Sequence, residues 1–300
     1  MKIRISLTPK DYVSIKALTT VKQRDGLSLS LKLKNLMKHS LTVLSCAAMA
    51  LVPLMPAPVK AQPPGGTTGW TKSFEDNFSN GFDTNKWIKT FWWGNGALIA
   101  DGSLSWFSPD DVFVSDGSLN LEAEHRTVNN MPYTGGVAST YGKFYQTYGY
   151  FEANVKVPKG MGVGPGFSLL AEDTSWPPEI NIFEIPGNFG VGATKVWMTN
   201  HYMDGNGNVS FANSEGTWTS STGLDAKYHT YGLLWQPGLL VWYVDGVERY
   251  RTTVGVPNKP CYIEFVSAVS NSNWTGDPGS TTFPQYMSIN WVRAWKPSGS

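Results

Sequence analysis

From residue 70 onward, apolar and polar positions alternate with a period of two in short runs that end at turn residues. Side chains of a strand point alternately to opposite faces, so this pattern predicts half-buried strands and almost no helix. The clearest stretch is "YHTYGLLWQPGLLVWYVDGVERYRT". It predicts strands over 228–235, 239–244 and 247–251, joined by a Pro237-Gly238 turn and a tight Asp245-Gly246 reversal. "VFVSDGSLNLEAEHR" reads as a hairpin around Asp116-Gly117, 150–157 as a further strand, and "QYMSINWVRAWK" as the last. Residues 62–69, "QPPGGTTG", read as a flexible leader. No linker, low-complexity break or internal repeat follows, so residues 70–300 are expected to form one all-β domain of two packed antiparallel sheets.

The most apolar of these runs breaks its own pattern. In "WPPEINIFEIPG", Glu179 and Asn181 are two apart and share a face, whereas Glu184 is five away from Glu179 and belongs to the opposite face of an ideal strand. One extra residue, a β-bulge near Ile182-Phe183, returns Glu184 to the first face and leaves Ile180 and Ile185 toward the core. The two glutamates then lie four strand steps apart, roughly 13 Å between Cα atoms. Long side chains leaning together over the shorter Asn181 can close that gap toward the roughly 5–5.5 Å between carboxyls that a retaining glycosidase uses. On spacing alone, two glutamates on the wet face of a strand are more often solvated surface than chemistry.

Composition sharpens the picture at the N-terminus. Residues 37–61 have a basic start, an apolar run from Leu41 to Leu54 and a Val59-x-Ala61 ending, the layout of a secretory signal peptide. The run is too short and proline-broken to span a bilayer, which takes roughly 20 residues. Residues 1–36 form an unusually long lead-in, and either Met1 or Met37 can be the start. Cleavage near Ala61 would release a secreted or periplasmic protein. The first 61 residues hold 10 Lys/Arg and 2 Asp/Glu of the chain's 24 and 23, leaving 14 bases and 21 acids, a net charge of −7. Binding to nucleic acid through bulk charge is then not expected. Cys261 would be the one remaining cysteine, so no internal disulfide can form. All 13 Trp lie after residue 61, which suits both an aromatic core and stacking on sugar rings.

Two further motifs are weighed and set aside. "DGNGNVSFANSE" has Asp204, Asn206, Asn208 and Glu215 at calcium-loop spacing, but Val209 stands where the sharp turn requires Gly, so a hairpin turn at Asn206-Gly207 is the better reading. "GMGVGPG" has phosphate-loop spacing but contains Pro165 and opens no helix.

Four segments in order resemble glycoside hydrolase family 16, the laminarinase, agarase and carrageenase group. "WPPEINIFE" is similar to that family's Glu-Ile-Asp-Ile-x-Glu signature in its bulged form. "YGKFYQTYGYFEANVKVPKGMGVGPGFSLL" resembles the segment before it, "YHTYGLLWQPGLLVWYVDGVERYR" the hairpin after it, and "SNWTGDPGSTTFPQYMSINWVRAWK" the C-terminal loop and last strand. The resemblance implies a β-jelly roll with an open cleft and endo-hydrolysis of a β-linked polysaccharide with retention. It assigns Glu179 as nucleophile, Glu184 as acid/base and Asn181 to the place of an assisting Asp. It also implies that Trp176, His201, Asn95, Trp106 and Trp274 border the sugar groove, whereas Trp92-Trp93 could equally be loop core.

Three departures matter. Asn181 carries no charge, so it is expected to give a hydrogen bond to the Glu179 carboxylate and to leave Glu184 holding its proton less tightly. "GVGPGFSLL" lacks the family's Trp-rich run at that place, which alters the cleft floor. Asn290 replaces an Asp that ligates a structural calcium in several relatives, so calcium is possible there but no cofactor is required. The default substrate is a β-1,3- or mixed-linked glucan. The i, i+5 spacing argues against the regular i, i+4 signature of bacterial lichenases and plant xyloglucan enzymes. A galactan of the agarose or carrageenan type, transglycosylation, or non-catalytic polysaccharide binding on the same fold stay open. A monomer is expected.

Overall fold

The computed structural model describes residues 62–97, 102–188 and 193–299. The expected signal peptide and its lead-in lie outside them. In chain order the strands are β1 (Trp70–Asp76), β2 (Gly96–Ala97), β3 (Ser105–Phe107), β4 (Val112–Ser115), β5 (Ser118–Ala123) and β6 (Tyr133–Ser139). Next come β7 (Gly149–Lys156), β8 (Val163–Ala171), β9 (Glu179–Glu184), β10 (Lys195–Met203), β11 (Val209–Ser210) and β12 (Glu215–Thr219). The chain ends with β13 (His229–Gln236), β14 (Leu239–Val244), β15 (Val247–Thr252), β16 (Cys261–Val269) and β17 (Gln285–Pro297). Among the described residues, helix is confined to single 3-10 turns at Pro109–Asp111 and Pro278–Ser280.

These strands build the two layers of a jelly roll. The first sheet runs β15-β14-β13-β7-β17-β5-β4, with β1 also pairing β17. The second runs β11-β10-β9-β8-β16-β6-β3-β2, with β12 also pairing β10. Neighbours pair antiparallel except β3 and β6, which are parallel. The expected hairpins are present. Asp116 and Gly117 (φ 50° and 70°) and Asp245 and Gly246 (φ 52° and 72°) occupy the left-handed region that a two-residue hairpin turn demands.

The core lies between the layers. Phe151, Ala153 and Val155 of β7, Leu233 and Trp235 of β13 and Trp242 of β14 meet Phe167 and Leu169 of β8, Ile180 of β9 and Ile263 and Phe265 of β16. Buried indoles need a partner for their N–H. Trp87 donates to Asp76 Oδ2 at 2.9 Å, Trp235 to the Pro257 carbonyl at 3.0 Å and Trp242 to the Asn181 carbonyl at 2.9 Å.

Strand alternation leaves the outer face of the second sheet with a different population. On β8, Val163, Phe167 and Leu169 are buried, while Gly164, Gly166, Ser168 and Leu170 face outward. On β16, Ile263 and Phe265 point to the core and Tyr262, Glu264, Val266 and Ala268 outward. That outer face carries the site.

Candidate active site

The register of β9 contains the extra residue. Asn181 faces Ser168 on β8 and Thr199 on β10, and Glu184 faces Gly166 and Trp197. Between those rungs only Phe183 finds a partner on β8, Phe167, so Ile182 is the inserted residue. Ile182 and Phe183 both turn inward, 2% and 0% exposed, which is what a bulge does to two consecutive side chains. The sequence explains the choice: both are apolar, and the polar positions on either side are thereby returned to one face. Trp242, reaching across the core from β14, supplies the N–H for the Asn181 carbonyl at the bulge.

The outer face becomes an ordered grid. One row reads Tyr262, Leu170, Glu179, His201; the next reads Ser139, Glu264, Ser168, Asn181, Thr199; a third reads Val137, Val266, Gly166, Glu184, Trp197. Glu179 and Glu184 thus stand on the rows flanking Asn181. Together with Phe91, Trp92, Trp93, Tyr262, Glu264 and Trp274 they line a cleft of about 380 Å³.

Asn181 is anchored by the Ser168 hydroxyl, which donates to Oδ1 at 2.7 Å, and its Nδ2 donates to Glu184 Oε2 at 2.9 Å. The amide therefore serves Glu184, not Glu179 as the sequence suggested. Glu179 instead accepts from the Trp176 indole N–H at 2.7 Å. The expected loosening of the Glu184 proton by Asn181 has the direction of that hydrogen bond, which lowers the carboxyl, but a larger effect outweighs it. Burial, followed by the negative charge of Glu179, pushes its carboxyl up to about 8, against the opposing pull of the Asn181 hydrogen bond. Desolvation supplies what the missing aspartate would have reinforced, and Glu184 carries its proton through neutral pH.

The other sequence candidates divide. Trp176 is 54% exposed and packs on His201, with ring centroids 5.8 Å apart. His201 faces Glu179 across β10 and approaches Asn181 Nδ2 at 3.5 Å. Trp274 lines the cleft and packs edge-on to Trp197. These three therefore stand beside Glu179 or at the cleft wall. Asn95 is exposed and is not part of the lining. Trp106 is a correction: alternation along β3 turns Phe107 toward Phe91 and Val137 and sends Trp106 to the opposite face, away from the cleft. Trp92 and Trp93 take the expected aromatic place instead, exposed in the wall, with Trp93 stacked on Phe91 at 4.8 Å.

Glu264 is the residue the sequence reading missed. It is an acid on the cleft phase of an otherwise apolar strand, "CYIEFVSAV", which is the same signal that singled out β9. Asn290 lies on the first sheet, where its amide donates to Asn154 Oδ1 at 3.2 Å. Among the described residues no group of three or more His, Cys, Asp or Glu side chains could hold a metal ion. An amide already engaged with a second amide is a poor match for calcium, which favours several charged oxygens. "DGNGN" is a turn: Asp204 Oδ1 accepts from the backbone N–H of Asn206 and Asn208, both at 2.8 Å.

With this geometry in place, the sequence profile of glycosyl hydrolases family 16 matches residues 102–293. The chain belongs to that family. Among curated family relatives, an endo-1,3-1,4-β-glycanase, ExsH, of Rhizobium meliloti is 30% identical over 75% of this chain and 51% of its own length. A β-glucanase of Bacillus licheniformis is 29% identical over 75% of this chain and 86% of its own. The chain spans about half the length of the first of these. A solved family structure, the catalytic domain of an endo-1,3-β-glucanase (laminarinase) from Thermotoga petrophila, superposes with a TM-score of 0.65 at 25% identity, covering 77% of this chain and 99% of that one.

Proposed function

We propose that the protein is a retaining endo-β-glycosidase that cleaves a neutral β-linked glucan by double displacement. The observation that carries this reading is the bulge at Ile182, which puts Glu179 and Glu184 on one face of the cleft in unlike environments. Two carboxyls held in contrasting surroundings are the requirement for one to attack while the other donates. In the first step Glu179 attacks the anomeric carbon and forms a glycosyl-enzyme ester, while Glu184 gives its proton to the departing glycosidic oxygen. In the second, Glu184 as carboxylate takes a proton from water, whose oxygen displaces Glu179 with a second inversion. The Trp176 indole holds the Glu179 carboxylate in place, and the Ser168–Asn181 pair orients Glu184. The steps draw on no cofactor.

Substrate class rests on the cleft and on the relatives. No Lys or Arg is among the described lining residues, and three carboxyls are, which favours neutral sugars over sulfated ones. The relatives' names, endo-1,3-1,4-β-glycanase and endo-1,3-β-glucanase, support a β-1,3- or mixed-linked glucan. The leader over 37–61 supports secretion or periplasmic export, and the protein would act there as a monomer. No helix among the described residues is long and apolar enough to cross a membrane.

The test is a panel of β-1,3-glucan, β-1,3-1,4-glucan, agarose and carrageenan, with reducing ends as readout. Release from one of the two glucans is expected, with a loss of at least about 10³-fold in Glu179→Gln and Glu184→Gln. Binding without release, or release unaffected by Glu179→Gln, would refute the reading.

A further inference from the structure

Glu264 has no place in the double displacement, yet it is an expensive residue to keep where it is. It is 6% exposed and borders the cleft beside the catalytic pair. Its Oε2 is shut off from solvent, and among the described residues it has no hydrogen-bond partner and no Lys or Arg forms a salt bridge with it. Burying a carboxyl without partners costs several kcal/mol, and its strand neighbours on the same face, Tyr262 and Val266, show that apolar side chains fit there. A buried polar group left unsatisfied in a native fold calls for an explanation.

The grid supplies one. Glu264 shares a row with Ser168 and Asn181 and is two strands away from Asn181, about 10 Å across the sheet at the usual strand spacing. Between them the floor is only Ser168, flanked by Gly166 in one adjoining row and by Leu170 in the other. Bulk is missing on the Gly166 side, so a sugar ring can settle onto the sheet there between Asn181 and Glu264, against the Leu170 side chain. Burial and the nearby Glu179 charge push Glu264 up to about 8, so its carboxyl can both donate and accept a hydrogen bond at neutral pH.

We propose that Glu264 is a specificity-determining residue of the cleft, whose Oε1, the oxygen not shut off from solvent, hydrogen-bonds a ring hydroxyl of the sugar unit seated over Ser168 and Gly166, next to the unit held between Glu179 and Glu184. The inference rests on the glycosidase reading above. A site built to bond a hydroxyl discriminates strongly against a ring that lacks one in that position, because the buried group is then left unpaired. Such a contact is made in the ground state and the transition state alike, so its loss raises KM and leaves kcat nearly unchanged.

The experiment compares the full chain with Glu264→Leu and Glu264→Gln on β-1,3-glucan and β-1,3-1,4-glucan, with kcat, KM and Tm measured for each. Glu264→Leu is expected to raise KM at least tenfold with kcat within threefold, and to melt at the same temperature or higher. Glu264→Gln, which keeps a donor and an acceptor, is expected to return KM to within threefold of wild type. Loss of activity at constant or raised Tm marks a group kept for function, not for folding. An unchanged KM in Glu264→Leu, or a lowered Tm with no rescue by Gln, overturns the inference while wild-type cleavage keeps the glycosidase reading standing. A wild type that cleaves neither glucan overturns both.

Discussion

Asn181 shows how one atom exchange redirects a site. Its Oδ1 is taken by the Ser168 hydroxyl, so the Nδ2 must point the other way, to Glu184. A donor there favours the ionised carboxylate and opposes the burial that holds the proton. Replacing it by Asp removes that donor and adds a negative charge, and both changes raise the Glu184 value. The alkaline limb of the kcat profile is therefore expected near pH 8 in the wild type and measurably higher in Asn181→Asp. A limb that stays put or moves to lower pH contradicts this account of how Glu184 holds its proton.

At the scale of the element, β9 works because two sheets cooperate on its bulge. The extra residue shifts the register beside Asn181, and Trp242 of the opposite layer donates to the Asn181 carbonyl there. Trp242→Phe keeps an aromatic ring but removes that buried donor, at a cost of about 1–3 kcal/mol. At a few degrees per kcal/mol for a domain of this size, Tm is expected to fall by roughly 3–10 °C. The kcat should fall with it, since the bulge aims Glu184. A variant with wild-type Tm and kcat would show that the indole does not hold the bulge. The bulge itself was legible in the sequence because the polar phase of "EINIFE" slips by one residue, and only an inserted residue reconciles it with an apolar core. β1 was not legible: its own register shift between Lys72 and Phe74 removes the period of two that would have announced it. Strand phase marked Glu264 as unusual and Trp92-Trp93 was noted, but their place beside the acid pair was not legible, for another reason. Their positions depend on which distant strands become neighbours, 264 beside 168 beside 181, and no local pattern encodes that adjacency.

For the whole molecule, the alternation and the Asp-Gly turns made the two-sheet architecture readable, while the population of the outer face of the second sheet emerged only with the fold. That face and the first sheet together hold three glutamates, the half-buried Glu184 and the buried Glu264 and Glu152, each pushed up to about 8 chiefly by desolvation. The unfolded chain releases these protons near 4.5, whereas the fold keeps them to about 8. Their contribution to stability is complete below the unfolded value and is lost as pH rises through 8. Asp245 works in the opposite sense: burial pushes its carboxyl up, but the hydrogen bonds from His229 and the Thr230 N–H together bring it below its ordinary value, so it stabilises above 3.8 and loses that effect in acid. Tm is accordingly expected to peak near pH 5 and to decline toward pH 8–9, with a shallower decline in Glu264→Leu. Calorimetry across pH 4–9 measures this, and a Tm that rises steadily toward pH 9 would contradict it.

The central claim is that both carboxyls converge on one anomeric carbon with attack from Glu179. Proton NMR of the first products released from β-1,3-1,4-glucan tests it most directly, because the configuration at the new reducing end records how many inversions occurred. The account predicts the β-anomer first, with the α-anomer appearing only at the rate of mutarotation. An initial α-anomer would mean single displacement by water and would contradict the assignment of Glu179 as nucleophile.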